Sequence, residues 1–406
     1  MTQTILKLFT AFIHGRTPGQ VVVQYTDHCN ATCPQCGMRR GSGAPRSVLG
    51  IDQAKAVIDA AAERGASAIS FTGGEPLLFL DDIVELIRHA GKAGIRYIRT
   101  GTNGFMLTDS GSDFTGRVTA IARRLADTPL KNFWISVDSA DPATHEAMRG
   151  FPGLIRGIEK ALPIFHEHGI YPSANLGINR NMGKHPLAPG FAENDCKEAF
   201  AQFYRFVISL GFTIANACYP MSAGGNESLD AVYAATSADD IVSFTPQEKI
   251  TLFSSLLATI PQFRGSLRVF TPRCSLHALV RQLSGERQSS YPCRGGLDYF
   301  FIDAKDGNAY PCGYRGGDNL GSLRNVPLAQ GHNGPACREC EWECFRDPSE
   351  MLGPVLELFG APLSLIRRGF GDPEYFRLWL EDVRYYMACG FFDGRSAPNF
   401  SRCKPL

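Results

Sequence analysis

Cys29-Asn-Ala-Thr-Cys33-Pro-Gln-Cys36 is the stretch on which the fold and the chemistry of this chain turn. Three thiols are spaced C-x3-C-x2-C, directly after the apolar run Val21-Val22-Val23-Gln24-Tyr25. The run predicts a strand, and the Asn- and Pro-bearing segment behind it a loop. Three thiolates on one loop can hold three corners of a cubane iron–sulfur cluster, whose ligands are normally four cysteines. The missing fourth ligand leaves an iron open to a small molecule, as catalytic metal sites do.

Working outward, strand and helix patterns alternate. Residues 51–64 repeat apolar positions at helical spacing. Ala68-Ile69-Ser70-Phe71 predicts a buried strand ending in Thr72-Gly73-Gly74-Glu75-Pro76. Helices are expected at 80–93, 115–126, 153–168 and 195–210, and strands at 96–100, 133–137, 173–178 and 212–215. Strands alternating with helices of this length mean βαβ units and a parallel sheet. Six such units by about residue 218 predict an α/β fold, a partial (βα)6 TIM-like barrel over 1–218. In such folds the chemistry sits at the C-terminal strand ends, and there lie Gly73-Gly74-Glu75-Pro76, Asn103, Ser136 with Asp138, and Asn175 with Gly177, Asn179 and Arg180.

Beyond 218 the rhythm changes. A linker is expected over 219–270, a cysteine-rich unit over 271–348 and a helical tail over 349–406. Thr245-Pro-Gln-Glu248 predicts a capped helix start. Residues 297–302 and 308–312 flank Asp306-Gly307 as a hairpin. The chain has 406 residues, a net charge of +1 and thirteen cysteines. Balanced charge gives no support to a nucleic-acid partner. An odd cysteine count in a long chain argues for metal ligands in a reducing cytoplasm rather than a disulfide framework. The Ile5–Phe9 patch is too short for a signal or a membrane span. Leu356–Phe359 and Leu363–Arg368 have the pattern of an interfacial helix, or of one packed on the barrel.

With the cysteine loop after strand one and Gly-Gly-Glu-Pro after strand two, the sequence resembles the radical S-adenosylmethionine (SAM) superfamily over roughly 18–218. The resemblance implies a [4Fe-4S] cluster on Cys29, Cys33 and Cys36, with SAM on the fourth iron. One electron then cleaves SAM to a 5′-deoxyadenosyl radical that takes hydrogen from the substrate. It implies that Gly73, Gly74 and Glu75 meet the SAM amino group, and that Asn103, Ser136 and Asp138 contact SAM. Gln35 stands where the family often has an aromatic residue against the adenine. His145-Glu-Ala-Met-Arg149-Gly150 is similar to a His-x3-Arg-Gly stretch of peptide-modifying members, which would set Arg149 on the SAM carboxylate.

Cys293, the G-x4-C of Gly307–Cys312, and Cys337-x2-Cys340-x3-Cys344 are similar to the SPASM/twitch extension, which carries auxiliary [4Fe-4S] clusters. One C-x5-C step of the full pattern is absent. A single cluster on Cys293, Cys312, Cys344 and one of Cys337 or Cys340 is therefore expected. Cys274, Cys389 or Cys403 are needed for a second, and a structural zinc on the C-x2-C pair is the alternative. Cys196 and Cys218 are expected as buried thiols. Gly313 stands where sulfatase-maturating members carry an acidic base, so that role is not transferred; Tyr314 and Arg315 are candidates for the pocket lining. The resemblance implies an external donor such as flavodoxin or ferredoxin, and a peptide or protein substrate. A small-molecule or lipid substrate stands nearly level, since only about 20 residues precede the first strand and no leader-peptide domain fits there. A non-catalytic iron–sulfur electron carrier would explain the cysteines but not Gly-Gly-Glu-Pro.

Overall fold

The computed structural model describes residues 10–37, 46–111, 113–220, 231–233, 237, 239–286, 290–327 and 337–403. The Ile5–Phe9 patch, the Gly41–Pro45 connector and most of the polar stretch after 220 lie outside the described residues. The first half runs β1 (Gly19–Thr26), α1 (Ile51–Glu63), β2 (Ala66–Gly73), α2 (Leu80–Lys92), β3 (Tyr97–Thr102), α3 (Phe114–Ala126), β4 (Asn132–Ser136), α4 (Pro142–Arg149), α5 (Leu154–Glu167), β5 (Ser173–Gly177), α6 (Glu193–Leu210) and β6 (Ile214–Cys218). All six expected strands form, within about three residues of their predicted places.

The helices form for local reasons. In α2 the residues Leu80, Ile83, Val84, Leu86, Ile87 and Ala90 recur at helical spacing and are all buried. Sequence patterning missed α4, which is short and polar. Its ends are nevertheless well marked. The Asp141 carboxylate accepts from the Thr144 N–H at 2.8 Å, Pro142 opens the first turn, and Gly150 closes the helix with φ 78°.

The second half adds α7 (Pro246–Phe263), β7 (Arg268–Val269), α8 (Arg273–Leu283), β8 (Tyr299–Ile302), β9 (Ala309–Tyr310), α9 (Glu343–Gly360), α10 (Pro362–Gly371) and α11 (Pro373–Cys389). The expected capping box opens α7: Thr245 N–H donates to Glu248 at 2.8 Å and Glu248 N–H to the Thr245 hydroxyl at 3.2 Å. The expected hairpin pairs Phe301 with Tyr310 and Ile302 with Ala309. Two pairings go beyond the six-strand expectation. β7 joins β6 in parallel, and β8 joins β1 in parallel, Gln20 opposite Tyr299 and Val23 opposite Ile302. Among the described residues the open sheet therefore has nine strands in the order β7-β6-β5-β4-β3-β2-β1-β8-β9, and the cysteine-rich region contributes to it.

Strand parity sorts the two faces. Val21, Val23 and Tyr25, Ile69 and Phe71, Ile98, and Ala174 with Leu176 pack under the helices in the main core. The alternate residues Gln20, Val22, Gln24, Ser70, Thr72, Arg99, Trp134, Ser136, Asn175, Asn216 and Cys218 face the other way; Gln20 meets Cys344 O, Val22 packs in the cluster with Trp342 and Thr72 meets Tyr233, so the second half of the chain covers this face, the chamber side. The tail closes its N-terminal end. Gly394 N–H donates to Lys131 O at 3.0 Å, Tyr171 N–H to Gly394 O at 2.7 Å, and Arg268 to Asp393 O at 2.8 Å. Phe392 adopts φ 45°, a conformation costing about 1–3 kcal/mol in a non-glycine residue. It thereby sets its ring 4.8 Å from Phe270 and 5.5 Å from the Arg99 guanidinium.

Candidate active site

The cysteine loop is stitched to its neighbours by backbone. Gly74 N–H donates to Thr26 O and Glu75 N–H to His28 O, both at 2.8 Å. A Cβ on Gly73 would overlap Thr26 O and one on Gly74 would overlap His28 O, so only glycine lets the two loops close. Glu75 is fully buried. Its carboxylate accepts from Leu77 N–H at 2.9 Å and from Asn103 N–H at 2.6 Å. Burial pushes it up to about 7, against the pull of those two N–H groups. Within the chain itself Glu75 is thus a brace joining the loops after β2 and β3. Asn103 carries the brace onward, donating from Nδ2 to Asn30 at 3.0 Å and pointing at Cys29 Sγ at 3.7 Å.

A second brace comes from the far side. Asp138 and Arg149, both buried, form an ion pair in which Asp138 Oδ2 receives Arg149 Nε at 2.8 Å and Nη2 at 2.5 Å. Gln35 Nε2 donates to the same oxygen at 2.9 Å. The pair is held from behind by His145, fully buried, whose Nδ1 accepts from Asp138 N–H at 3.1 Å. Burial lowers His145 to about 4, so it stays neutral and an acceptor there. Arg149 O takes the Thr32 N–H at 3.1 Å, gripping the cysteine loop. Arg149 is therefore neither a surface residue nor unpartnered: its guanidinium is already on Asp138. Ser136 is half-buried at the end of β4, facing the chamber.

These contacts gather Cys29, Cys33 and Cys36 with Gln35, Gly73, Gly74, Glu75, Asn103, Asp138 and Arg149 at the C-terminal ends of β1 to β4. Burial pushes the Cys33 thiol up to about 11 and Cys29 upward, while Arg149 pulls both down. Cys29 Sγ also receives Ala31 N–H at 3.5 Å. Three thiols beside a cation and N–H donors suit a cluster held through sulfur. Among the described residues no three His, Cys, Asp or Glu side chains converge on a single-ion site.

The second cysteine group divides differently from expectation. Cys293, Cys312, Cys337 and Cys340 line one cavity with Gly295, Pro311, Trp342 and Phe345. Cys293 N–H donates to Cys337 O at 2.8 Å, which draws the two strands of the loop together. Cys344, expected among the ligands, does not line that cavity. It lies on the first turn of α9, where Cys344 O accepts from Gln20 at 3.2 Å and the thiol reaches Glu343 at 3.6 Å. Its electrostatic neighbours are Glu343, Arg99 and Asp347. The helix begins at Glu343, and that turn aims Cys344 into the chamber. Cys274 is buried in α8 against Met351 Sδ at 3.4 Å, and Cys389 is bonded to Cys403, so none of these three lies at the cavity. Cys196 is fully buried as expected. Cys218 instead faces the chamber and donates to Asn175 at 3.3 Å.

A family model described as the radical SAM superfamily matches residues 23–198, the segment holding both braces and all three loop cysteines. The chain carries a radical SAM domain. An AdoMet-dependent heme synthase of Methanosarcina barkeri is 24% identical over 83% of this chain and 87% of that protein. That of Nitratidesulfovibrio vulgaris is 24% identical over 76% of each. A GTP 3′,8-cyclase of Vibrio parahaemolyticus is 30% identical, but over 41% of this chain and 47% of the relative. Among solved structures, Streptococcus suis SuiB bound to S-adenosylmethionine aligns over 86% of this chain and 70% of its own, with a TM-score of 0.51 and 15% identity. SuiB bound to precursor peptide SuiA aligns over 77% of this chain but only 63% of its own length, at 16% identity and a TM-score of 0.50. Native anSMEcpe with bound AdoMet aligns over 89% and 99%, with a TM-score of 0.50 and 15% identity. These structures share the fold.

A radical SAM domain makes the chain an AdoMet-dependent enzyme with a [4Fe-4S] cluster, and the loop cysteines fit that group. Around the radical SAM site the structure adds residues that sequence reasoning did not find. Tyr233 stands over the chamber, its hydroxyl 3.5 Å from Thr72 Oγ1 and its ring 6.2 Å from Trp342 at the four-cysteine cavity. Arg99 and Glu343 are the others, while His145, read in the sequence as the start of His-x3-Arg-Gly, gains here its role behind Asp138. A lone tyrosine in a polar stretch gives no periodic signal. Arg99, however, was visible as a charge in the middle of a buried strand.

Proposed function

We propose that the chain cleaves AdoMet reductively and uses the resulting 5′-deoxyadenosyl radical to take hydrogen from an unactivated carbon of a small molecule held in the chamber. The observation that carries this is the bracing of the three-cysteine loop by Glu75–Asn103 on one side and Asp138–Arg149 on the other. When bound, the cluster supplies the electron that breaks the sulfonium bond. The residues of the chain do the rest. Gly73 and Gly74 keep the loops close, Asn103 and Arg149 set donors beside the sulfurs, and the aromatic floor excludes water. AdoMet contacts are assigned to Gly73, Gly74, Glu75, Asn103, Ser136, Asp138, Arg149 and Gln35, with Arg149 reaching the AdoMet carboxylate only by sharing its guanidinium with Asp138. An auxiliary cluster is assigned to Cys293, Cys312, Cys337 and Cys340, one electron acceptor beside the chamber.

A small molecule is preferred to a peptide because the curated relatives matched over most of their own length are heme synthases. The enzyme would work in a reducing cytoplasm with an external donor. No helix among the described residues is long and apolar enough to cross a membrane. The test is anaerobic: reconstituted protein, AdoMet and dithionite give 5′-deoxyadenosine above a Cys29→Ala control, and ultrafiltered cell extract stimulates it before and after protease digestion. No product above the control sinks the chemistry. Stimulation that protease abolishes sinks the small-molecule substrate.

A further inference from the structure

Arg99 is a cation on the chamber side of β3 with which no carboxylate among the described residues forms an ion pair. It sits mid-strand in β3 with its side chain on the chamber face, half-buried. Nε donates to Ser70 Oγ at 3.1 Å and the guanidinium lies 5.5 Å from the Phe392 ring. The groups that act on it are Cys344, Cys218 and Glu343. Glu343 is turned to other partners: Oε2 accepts from Tyr219 N–H at 3.2 Å and Oε1 from the Cys344 thiol at 3.6 Å. Glu343 and Cys344 also form the first turn of α9, an 18-residue helix whose N-cap Trp342 makes no side-chain cap, so its positive N-terminal end lies beside two of the groups that act on Arg99.

Even a half-buried cation is ordinarily paired, because withdrawing it from water without a partner is costly. We infer that Arg99 and the start of α9 form the binding site for a carboxylate of the substrate, with Asn175 and Cys218 on its edge. Burial raises Glu343, Cys218 and Cys344, and the hydrogen bonds of Glu343 run to Tyr219 and Cys344 rather than to Arg99. One guanidinium fits the charge of a carboxylate and its planar two-oxygen geometry; a phosphate dianion asks for more cations. The substrate class is therefore a carboxylic acid whose reacting carbon lies further up the chamber, toward Cys36 and Tyr233. This inference rests on the chamber being the substrate site of the proposed reaction, but its test needs no AdoMet cleavage.

The test titrates the iron-loaded full chain with propionate, succinate, inorganic phosphate and, as a neutral match, 1-propanol, at constant ionic strength, reading thermal stability. Saturable stabilisation by the carboxylates and none by propanol is expected. Arg99→Met weakens half-saturation about tenfold or more, and Arg99→Lys, which keeps the charge but loses the fork, falls between. Iron content and far-UV circular dichroism of each variant verify folding; should Arg99→Met not fold, Arg99→Lys must still weaken binding. Three results overturn the site: no saturable carboxylate binding, equal binding by the variants, or tighter Arg99-dependent binding of phosphate. A wild-type enzyme that binds carboxylate but yields no 5′-deoxyadenosine would sink the proposed reaction and leave this site standing.

Discussion

Replacing Asp138 by Asn removes one half of a buried ion pair and leaves the other half in place. Asp138 Oδ2 receives two guanidinium donors and the Gln35 amide, and it is 2% exposed. Asn offers one acceptor oxygen to the three donors that now converge on Asp138 Oδ2, and Gln35 Oε1 is already buried without a partner. Removing one member of a buried pair costs about 3–5 kcal/mol, since the stranded charge cannot be rehydrated. Adding the three hydrogen bonds singly would count the same desolvation repeatedly. About 4 kcal/mol is a large share of the 5–15 kcal/mol that holds a typical protein folded. Urea unfolding of the apoprotein, followed through its three tryptophans, reads the loss as a lower midpoint at unchanged slope. Asp138→Leu combined with Arg149→Met should recover at least half of it, because an apolar pair of similar volume leaves no stranded charge. A loss under about 1 kcal/mol, or a double variant no better than the single, would refute the claim that this pair is desolvated and braces the cysteine loop.

Other consequences are as direct. Alanine at Cys293, Cys312, Cys337 or Cys340 should lower iron and sulfide per chain, whereas Cys344→Ala should leave them at the wild-type value, measured by metal analysis and low-temperature EPR. Gly74→Ala should cut cluster retention and 5′-deoxyadenosine formation together, because its Cβ displaces His28 O and with it the cysteine loop; normal activity in a folded variant would contradict the close approach. Burial raises Glu75 to about 7, Glu350 to about 7 and Asp347 to about 8, so the folded state keeps protons that unfolded carboxyls release. Stability from these groups is complete below about pH 4 and is lost as pH rises through 7 to 8. Unfolding between pH 6.5 and 8.5, above the range of His145 at about 4 and Glu248 at about 2, should show that decline; a flat or rising profile would count against it. Leu363→Ser with Ile366→Ser and Phe370→Ser should shift the unfolding free energy by no more than about 0.5 kcal/mol each, because α10 buries no residue and these three are 80%, 56% and 86% exposed.

What the sequence made legible follows periodicity and punctuation. Six strands and five of the six helices among them were legible because each carries an apolar face of adequate length, and the glycines and cysteines mark strand ends. The helix α4 was not, because eight polar-rich residues have no long apolar stripe and its stability lies in the Asp141 cap and the Gly150 stop. β7 has two residues, too few for a pattern, and the pairing of β8 with β1 joins residues nearly 280 positions apart, which no local signal encodes. Glu75 and Arg149 were visible as chemistry at the right place. That each is first committed to the chain itself, Glu75 to backbone N–H groups and Arg149 to Asp138, is a property of packing.

The same distinction settles how the C-terminal cysteines divide. Spacing alone treats Cys337, Cys340 and Cys344 as one run, since three and two intervening residues differ little in an extended chain. The chain is not extended there: it enters α9 at Glu343, and a helical turn rotates each successive side chain by about 100° and lifts it only about 1.5 Å. Cys337 and Cys340 precede that turn and stay with Cys293 and Cys312 around the cavity. Cys344 follows it on the first turn of the helix, where it acts electrostatically on Arg99 and Cys218 and does not line the cavity. One helix start thus separates the cysteines that line the cavity from one that does not, and Tyr233, beside Thr72 and Trp342, bridges from the end of β2 toward that cavity.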